Sequence, residues 1–258
     1  MPLNNGCLVP IKIITREGSI VDPSYEAAVV GGNVETSQRI VDVILKTFGA
    51  AADSQGTSNN LTFGITDEKN SIAFGYYESI CGGAGAGPNW NGQSAVHCHI
   101  TNTRMTDVEV FEKRYPVIVH QYTVRENSGG DGAYRGGDGI LREIEFTYGG
   151  LDISFLMERR SLAPHGIFGG KDGVRGVNTW LKTEYSQEKK ALITRKIYLG
   201  GKASIKVAKG DRIVIMTPGG GGYGLPGSEV ADEEEKEYRK TTLGSGSIGM
   251  RSAIMESN

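Results

Sequence analysis

The stretch Tyr76–Ile100, YYESICGGAGAGPNWNGQSAVHCHI, brings together a carboxylate (Glu78), a thiol (Cys81), a glycine loop and two histidines two residues apart (His97 and His99). A carboxylate beside a pocket can orient a water molecule as a general base. The main-chain N–H groups of Gly82, Gly83 and Gly85 can make a nest for an anion or a polarised carbonyl oxygen. A plain turn is the other reading of the same glycines. The alternation of SAVHCHITNT predicts a strand with Ala95, His97 and His99 on one face and Val96, Cys98 and Ile100 on the other. Paired histidines can start a metal site, but four-coordinate sites need further ligands. Only Asp107 and His120 offer themselves, so the histidines read as pocket lining or as satisfied core residues, and no metal is assigned. Cys81 reads as a buried structural thiol. The chain has no GxxxxGK[ST] sequence, and Pro88, Asn89 and Trp90 follow CGGAGAG where a dinucleotide fingerprint would open a helix.

Other polar groups are candidates for holding a substrate. Gln55, Asn59 and Asn60 in SQGTSNN offer several amide donors and acceptors within a few residues, which suits a small amide or carboxylate. The alternative is an ordinary turn. Glu158, Arg159 and Arg160 in MERR read as structural ion pairing. TPGGGGYG, Thr217 to Gly224, reads as a turn passing close to another backbone.

These residues need a scaffold, and the chain is long enough to supply one. Its 258 residues suit one large domain or two small ones. A net charge of -2 gives no reason to expect nucleic acid or an anionic membrane as partner. No apolar run approaches the roughly 20 residues that span a bilayer, and the N-terminus lacks the pattern of a signal peptide. Cys7, Cys81 and Cys98 form no paired framework, which fits reduced thiols in the cytoplasm. Glycine is the outlier, at 38 residues without a period. Clustered glycines at the ends of apolar runs mean tight turns and close backbone approaches.

The clearest helix signal is GGNVETSQRIVDVILKTFGAA, with Asn33 to cap its start, Glu35 at the positive end and Gly49 to close it. Ile40, Val41, Ile44, Leu45 and Phe48 then share one face. LTFGITD and SIAFGYYESI, around Glu68, Lys69 and Asn70, predict a hairpin. From Tyr115 the chain becomes a series of strand-like runs separated by glycine-rich turns, the pattern of a sandwich or barrel. The expected class is α+β: an α/β portion over 1–115 with one prominent helix and a hairpin, then a mostly β portion of the same domain over 116–227. Residues 228–258, charged and then Gly/Ser-rich, are expected to be disordered.

Read in order, AAVVGGNVETSQRIVDVILKTFGA, SQGTSNNLTFG, the run from Tyr76 to Val117, NSGGDGAYRGGDG, ERRSLAPHGIFGG and TPGGGGYG resemble the C-terminal part of the hydantoinase B / 5-oxoprolinase family. Asn89 to Pro116 looks most like the eukaryotic, ATP-hydrolysing 5-oxoprolinases. The resemblance covers about residues 1–225. It implies a hydrolase of two halves, in which an ATPase half activates a lactam and the other completes its hydrolysis, opening 5-oxo-L-proline to L-glutamate. It further implies ATP and magnesium, a place in glutathione turnover, a cytoplasmic location and a homo-oligomer for the complete enzyme. ATP and magnesium are expected on an ATPase half that this sequence does not contain, so that half, as a fused segment or a subunit, is the expected partner and the chain alone is expected to be inactive. A non-catalytic remnant or assembly module is the rival reading, and a hydantoinase or ketone carboxylase component a further one. On residue chemistry and placement, Glu78 is the expected water-orienting base. Gln55, Asn59, Asn60, Gly82, Gly83 and Gly85 are expected to hold the substrate, and His97 and His99 to line the pocket.

Overall fold

The computed structural model describes residues 4–228; the expectation for 229–258 lies outside the described residues. Its frame is two antiparallel sheets facing each other. One holds β1 (Asn60–Asp67), β2 (Ile72–Ser79), β5 (Leu151–Leu156) and β8 (Lys202–Val207) in the order β2-β1-β5-β8. The other holds β3 (Val117–Arg125), β4 (Gly139–Phe146), β6 (Val177–Ser186), β7 (Ala191–Leu199) and β9 (Arg212–Met216) in the order β3-β4-β9-β6-β7. Each strand-like run after Tyr115 is therefore a strand. The hairpin is also present: Asn60 pairs with Ser79 and Asp67 with Ile72. Asp67 Oδ1 accepts the N–H groups of Lys69 and Asn70 and closes the turn. Pairing of β1 with β5 ties the first portion of the chain to the second.

The core lies between the sheets and follows the period of two. Leu61, Phe63, Leu151, Ile153, Phe155 and Val207 enter it from one side. Ile140, Ile144, Phe146, Ile213 and Ile215 enter from the other. Phe63 is the hub, with its ring centroid 4.9 Å from that of Tyr76 and 5.5 Å from that of Phe146. A short helix that the sequence reading missed, α2 (Val108–Arg114), plugs this end with fully buried Phe111. Its signal was present: Asp107 caps Val110 N–H at 3.1 Å, and Lys113 and Arg114 sit at the negative end.

The prominent helix is α1 (Ser37–Thr47), entered through a π turn at Gly32–Thr36. Gly31, with φ of 75°, makes the left-handed entry, so glycine rather than the Asn33 side chain starts the element. The face it buries is the opposite of the expected one. Glu35, Gln38 and Asp42 are buried, while Ile40, Val43, Ile44 and Phe48 are exposed.

Beside the sandwich, glycine-rich segments without regular secondary structure are laid against one another. A Cβ on Gly83 would stand 2.0 Å from Gly137 O, and one on Gly220 1.9 Å from Ala84 O. The segments bond through the main chain, Gly137 N–H to Ala84 O at 2.9 Å and Gly220 N–H to Gly137 O at 2.8 Å. The glycine clusters thus form one assembly of closely packed backbones.

Candidate functional site

The glycine loop after β2 is fixed on both flanks. Gln55 N–H donates to Gly83 O at 2.8 Å and Ala52 N–H to Ala86 O at 2.8 Å, so the SQGTSNN stretch runs alongside the loop. On the other flank Gly82 N–H donates to Val96 O at 3.0 Å and Gly83 N–H to Pro218 O at 3.0 Å. Gly82 and Gly83 therefore have no free donor for a ligand, which corrects the expected role of both. Gly85 differs: its N–H meets no acceptor among the described residues.

Gly85 lines a cavity of about 280 Å³. Ala51, Ala52 and Ser54 form one wall, Ala84 and Gly85 a second, and Trp90, Gln93 and the run Val96–His99 a third, with Leu45 of α1 closing an end. His97 and His99 both reach it, although not from a strand. Ala95 and His99 take left-handed backbone angles, φ of 54° and 55°, which break the expected alternation.

The two imidazoles differ in state. Both ring nitrogens of His97 are buried without a hydrogen-bond partner among the described residues. Burial holds its pKa below the usual histidine value, against a weaker pull from Glu78, so the ring is neutral at pH 7. His99 Nε2 pairs with Asp42 Oδ1 at 2.8 Å. Asp42 Oδ1 also accepts Ser54 N–H at 2.9 Å, and Arg159 bonds Asp53 behind it at 2.6 Å. His99 is thus held by a buried charged network. Between the two, burial pushes the Cys98 thiol up to about 12, so it is no nucleophile at neutral pH.

The other expected site residues are engaged elsewhere. Glu78 follows Phe74 and Tyr76 on the inward face of β2 and lies inside the sandwich. One carboxylate oxygen accepts Thr106 N–H at 2.7 Å and the other pairs with fully buried Arg142. A carboxylate so occupied has no oxygen directed at the cavity's water, which corrects the expected base. Gln55 Oε1 accepts Asn59 Nδ2 at 2.6 Å, and Asn60 Nδ2 donates to Tyr77 OH at 2.6 Å. These amides brace the loop from inside, and none of the three lines the cavity. Asp107 and His120 lie apart from the histidine pair, Asp107 as the cap of α2 and His120 bonded to Glu145 at 2.7 Å. No group of three or more His, Cys, Asp or Glu among the described residues is disposed to hold a metal ion. No helix among them is long and apolar enough to cross a membrane. Sequence reasoning missed Ser54, Gln93 and Trp90 as lining and Asp42 as the partner of His99. Asp42 carried a signal, as a lone carboxylate amid the apolar run of a helix.

Comparison with known proteins places this architecture. The family model described as Hydantoinase B/oxoprolinase matches residues 1–226. The chain belongs to the hydantoinase B/oxoprolinase family. Among members of this family it is 53% identical to the 5-oxoprolinase of Dictyostelium discoideum, over 90% of this chain and 17% of that protein. It is 54% identical to 5-oxoprolinase 1 of Arabidopsis thaliana, over 87% of this chain and 16% of that protein. The chain thus spans less than a fifth of the length of these curated relatives. Among solved structures, the ATP-dependent caprolactamase from Pseudomonas jessenii matches 88% of this chain and 40% of its own, with a TM-score of 0.65 and 22% identity. That likeness shows the fold: mostly β, with two antiparallel sheets and one prominent helix.

Proposed function

We propose that this chain is the part of a 5-oxoprolinase-type, ATP-dependent lactam hydrolase that holds the activated lactam while water opens it to the amino acid. The observation that carries the reading is His97: a neutral imidazole, unbonded at both buried ring nitrogens, in the lining of a small cavity that is also lined by Gly85, whose N–H has no acceptor among the described residues. Family membership and the 5-oxoprolinase relatives support 5-oxo-L-proline as the substrate.

The chemistry follows from the groups present. A lactam carbonyl is a poor electrophile until its oxygen is activated. A neutral imidazole can take a proton from water as that water attacks the carbonyl carbon. Gly85 N–H donates to the oxygen on which charge develops. Breaking the ring C–N bond needs a proton on nitrogen, which the imidazolium of His97 returns; with a phosphoryl group on the oxygen this leaves an acyl phosphate, and a second water releases inorganic phosphate and the carboxylate. His99, fixed by Asp42, positions the wall from which His97 projects.

The residues of the histidine cavity do not fit ATP and magnesium. No Lys, Arg, Asp or Glu lines the cavity, the N–H groups of Gly82, Gly83 and Gly87 serve main-chain bonds, and no acidic ligand set among the described residues faces it. We assign both to polypeptide that the longer relatives carry and this sequence does not contain, and we place the assembled enzyme in the cytoplasm. A role in glutathione turnover follows from the substrate.

The test is complementation. The purified chain is mixed with the remainder of the Dictyostelium enzyme, ATP, magnesium and 5-oxo-L-proline, and glutamate is measured. The corresponding region of the Dictyostelium enzyme serves as the positive control. Glutamate is expected from the complemented mixture and not from the chain alone, and His97→Gln is expected to lower the rate at least a hundredfold without changing the unfolding temperature. If the control works and this chain yields nothing, the chain is an assembly module and the catalytic reading fails.

A further inference from the structure

We propose a second ligand site: a cationic cavity between the start of β8, the segment after β5 and α1 that binds the carboxylate or phosphate group of a small molecule. It encloses about 260 Å³ and shares no lining residue with the histidine cavity. The size suits a compact ligand, below the roughly 300 Å³ at which pockets for larger molecules begin.

The charges around it do not balance. Arg39, Arg159, Arg160 and Lys202 line it, against the single carboxylate of Glu158. Glu158 is taken by Lys202 at 3.0 Å, and Arg159 by Asp53 at 2.6 Å. Arg39 and Arg160 have no carboxylate within ion-pair distance among the described residues. Arg160 is nevertheless held rigidly by neutral oxygens: Asn59 Oδ1 and Glu158 O at 2.7 Å, and Asn178 Oδ1 at 2.9 Å. Burial pushes its pKa down to about 9, against the attraction of Glu35 and Glu158 and with added repulsion from Arg125. Arg159, 5% exposed, also lines the cavity, and its Nε is buried without a partner among the described residues. Both terminal nitrogens of Arg160 are fully engaged, Nη2 also by Met157 Sδ at 3.2 Å, so Arg160 contributes fixed positive charge, while Arg39 and Lys202 supply the N–H donors an oxyanion would meet.

A buried carboxyl stands next door. Glu35 lines the adjoining groove, which shares Arg39 and Glu158 with the cavity. Its Oε1 accepts the Thr57 hydroxyl at 2.8 Å, while Oε2 is buried without a partner among the described residues. Around it stand Ser58 N–H, Glu158, Arg160 and Arg39. Burial, with repulsion from Glu158, outweighs these donors and Arg160 and raises the Glu35 pKa to about 7. Below pH 7 the carboxyl is neutral and leaves the cations to a ligand. Above it the ionised group competes for them, so oxyanion affinity should fall as the pH rises through 7.

Isothermal titration of the full chain with sodium sulfate, a phosphate-like anion that does not titrate here, and with L-glutamate tests the site. Saturable binding of at least one is expected at pH 6, several-fold weaker at pH 8. Arg39→Gln, at a partly buried side chain, and Lys202→Gln, at an exposed one, should each weaken it at least tenfold. Glu35→Gln should remove the difference between the two pH values. His97→Gln should leave binding unchanged, which separates this site from the proposed catalytic one. No saturable binding of either anion at pH 6, or binding that survives both cation variants with their circular dichroism intact, overturns the proposal.

Discussion

Glu78 and Arg142 meet inside the sandwich, where Arg142 is fully buried and its guanidinium lies 4.9 Å from the ring centroid of Phe111. Two buried charges of this kind depend on each other: removing one strands the other in an apolar core. Glu78→Gln is therefore expected to cost about 3–5 kcal/mol of stability, read by urea unfolding. Replacing Arg142 by Met in the same chain should recover part of that loss, because no unpaired charge then remains. Wild-type unfolding of the single variant would show that the pair is not a structural unit. The placement of Glu78 was legible in the sequence. Ile72, Phe74, Tyr76 and Glu78 fall at a spacing of two, which assigns the carboxylate to the same inward face as the aromatic rings. The same spacing puts Arg142 between Ile140 and Ile144 on the inward face of β4, but the pairing of the two charges across the sheets was not legible, since no local pattern links β2 to β4.

At the scale of the element, α1 shows where periodicity informs and where it misleads. The 3.6-residue pattern located the helix but did not say which side faces the protein. The buried side is the polar one: Gln38 Nε2 donates to Thr101 Oγ1 at 2.6 Å and to Cys98 O at 3.1 Å, and Asp42 holds His99. The outward side, with Val43 63% exposed, forms an apolar groove together with Ile20 and Val21. Val43→Lys should therefore change the unfolding free energy by less than about 0.5 kcal/mol. Gln38→Leu, the apparently conservative burial of a hydrophobe, should cost about 1–3 kcal/mol by removing the donor to Thr101 Oγ1 and one of the two donors to Cys98 O. The reverse order of effects in chemical denaturation would restore the usual orientation. The hairpin and later strands were legible because their turns and alternation are local. The path through His97 was not, because two left-handed non-glycine residues interrupt an alternating pattern that otherwise reads as a strand.

Across the whole molecule, stability and site geometry converge on the packed glycine segments. Stretches separated by more than fifty residues meet there: Asp53 O accepts the N–H of Gly221 at 2.8 Å, and Ala84 O that of Gly137 at 2.9 Å. A methyl group at Gly220 would collide with backbone that cannot swing aside, so Gly220→Ala is expected to cost about 3 kcal/mol or more. Gly75 in β2 has open space where its Cβ would lie, and Gly75→Ala should be neutral or slightly stabilising. Thermal unfolding of the pair reads the contrast, and equal behaviour would deny the glycines their packing role. Composition had signalled close backbone approaches, but only the three-dimensional path shows which glycines meet.

One wall of the histidine cavity is a piece of that glycine assembly, shaped by peptide groups and almost no side chains. Peptide groups are the same whatever residue carries them, so mutation has little means of retuning this surface without destroying it. Selectivity among chemically similar rings would then be written at the rim, in Trp90, Gln93 and His97, over a floor that evolution must inherit unchanged.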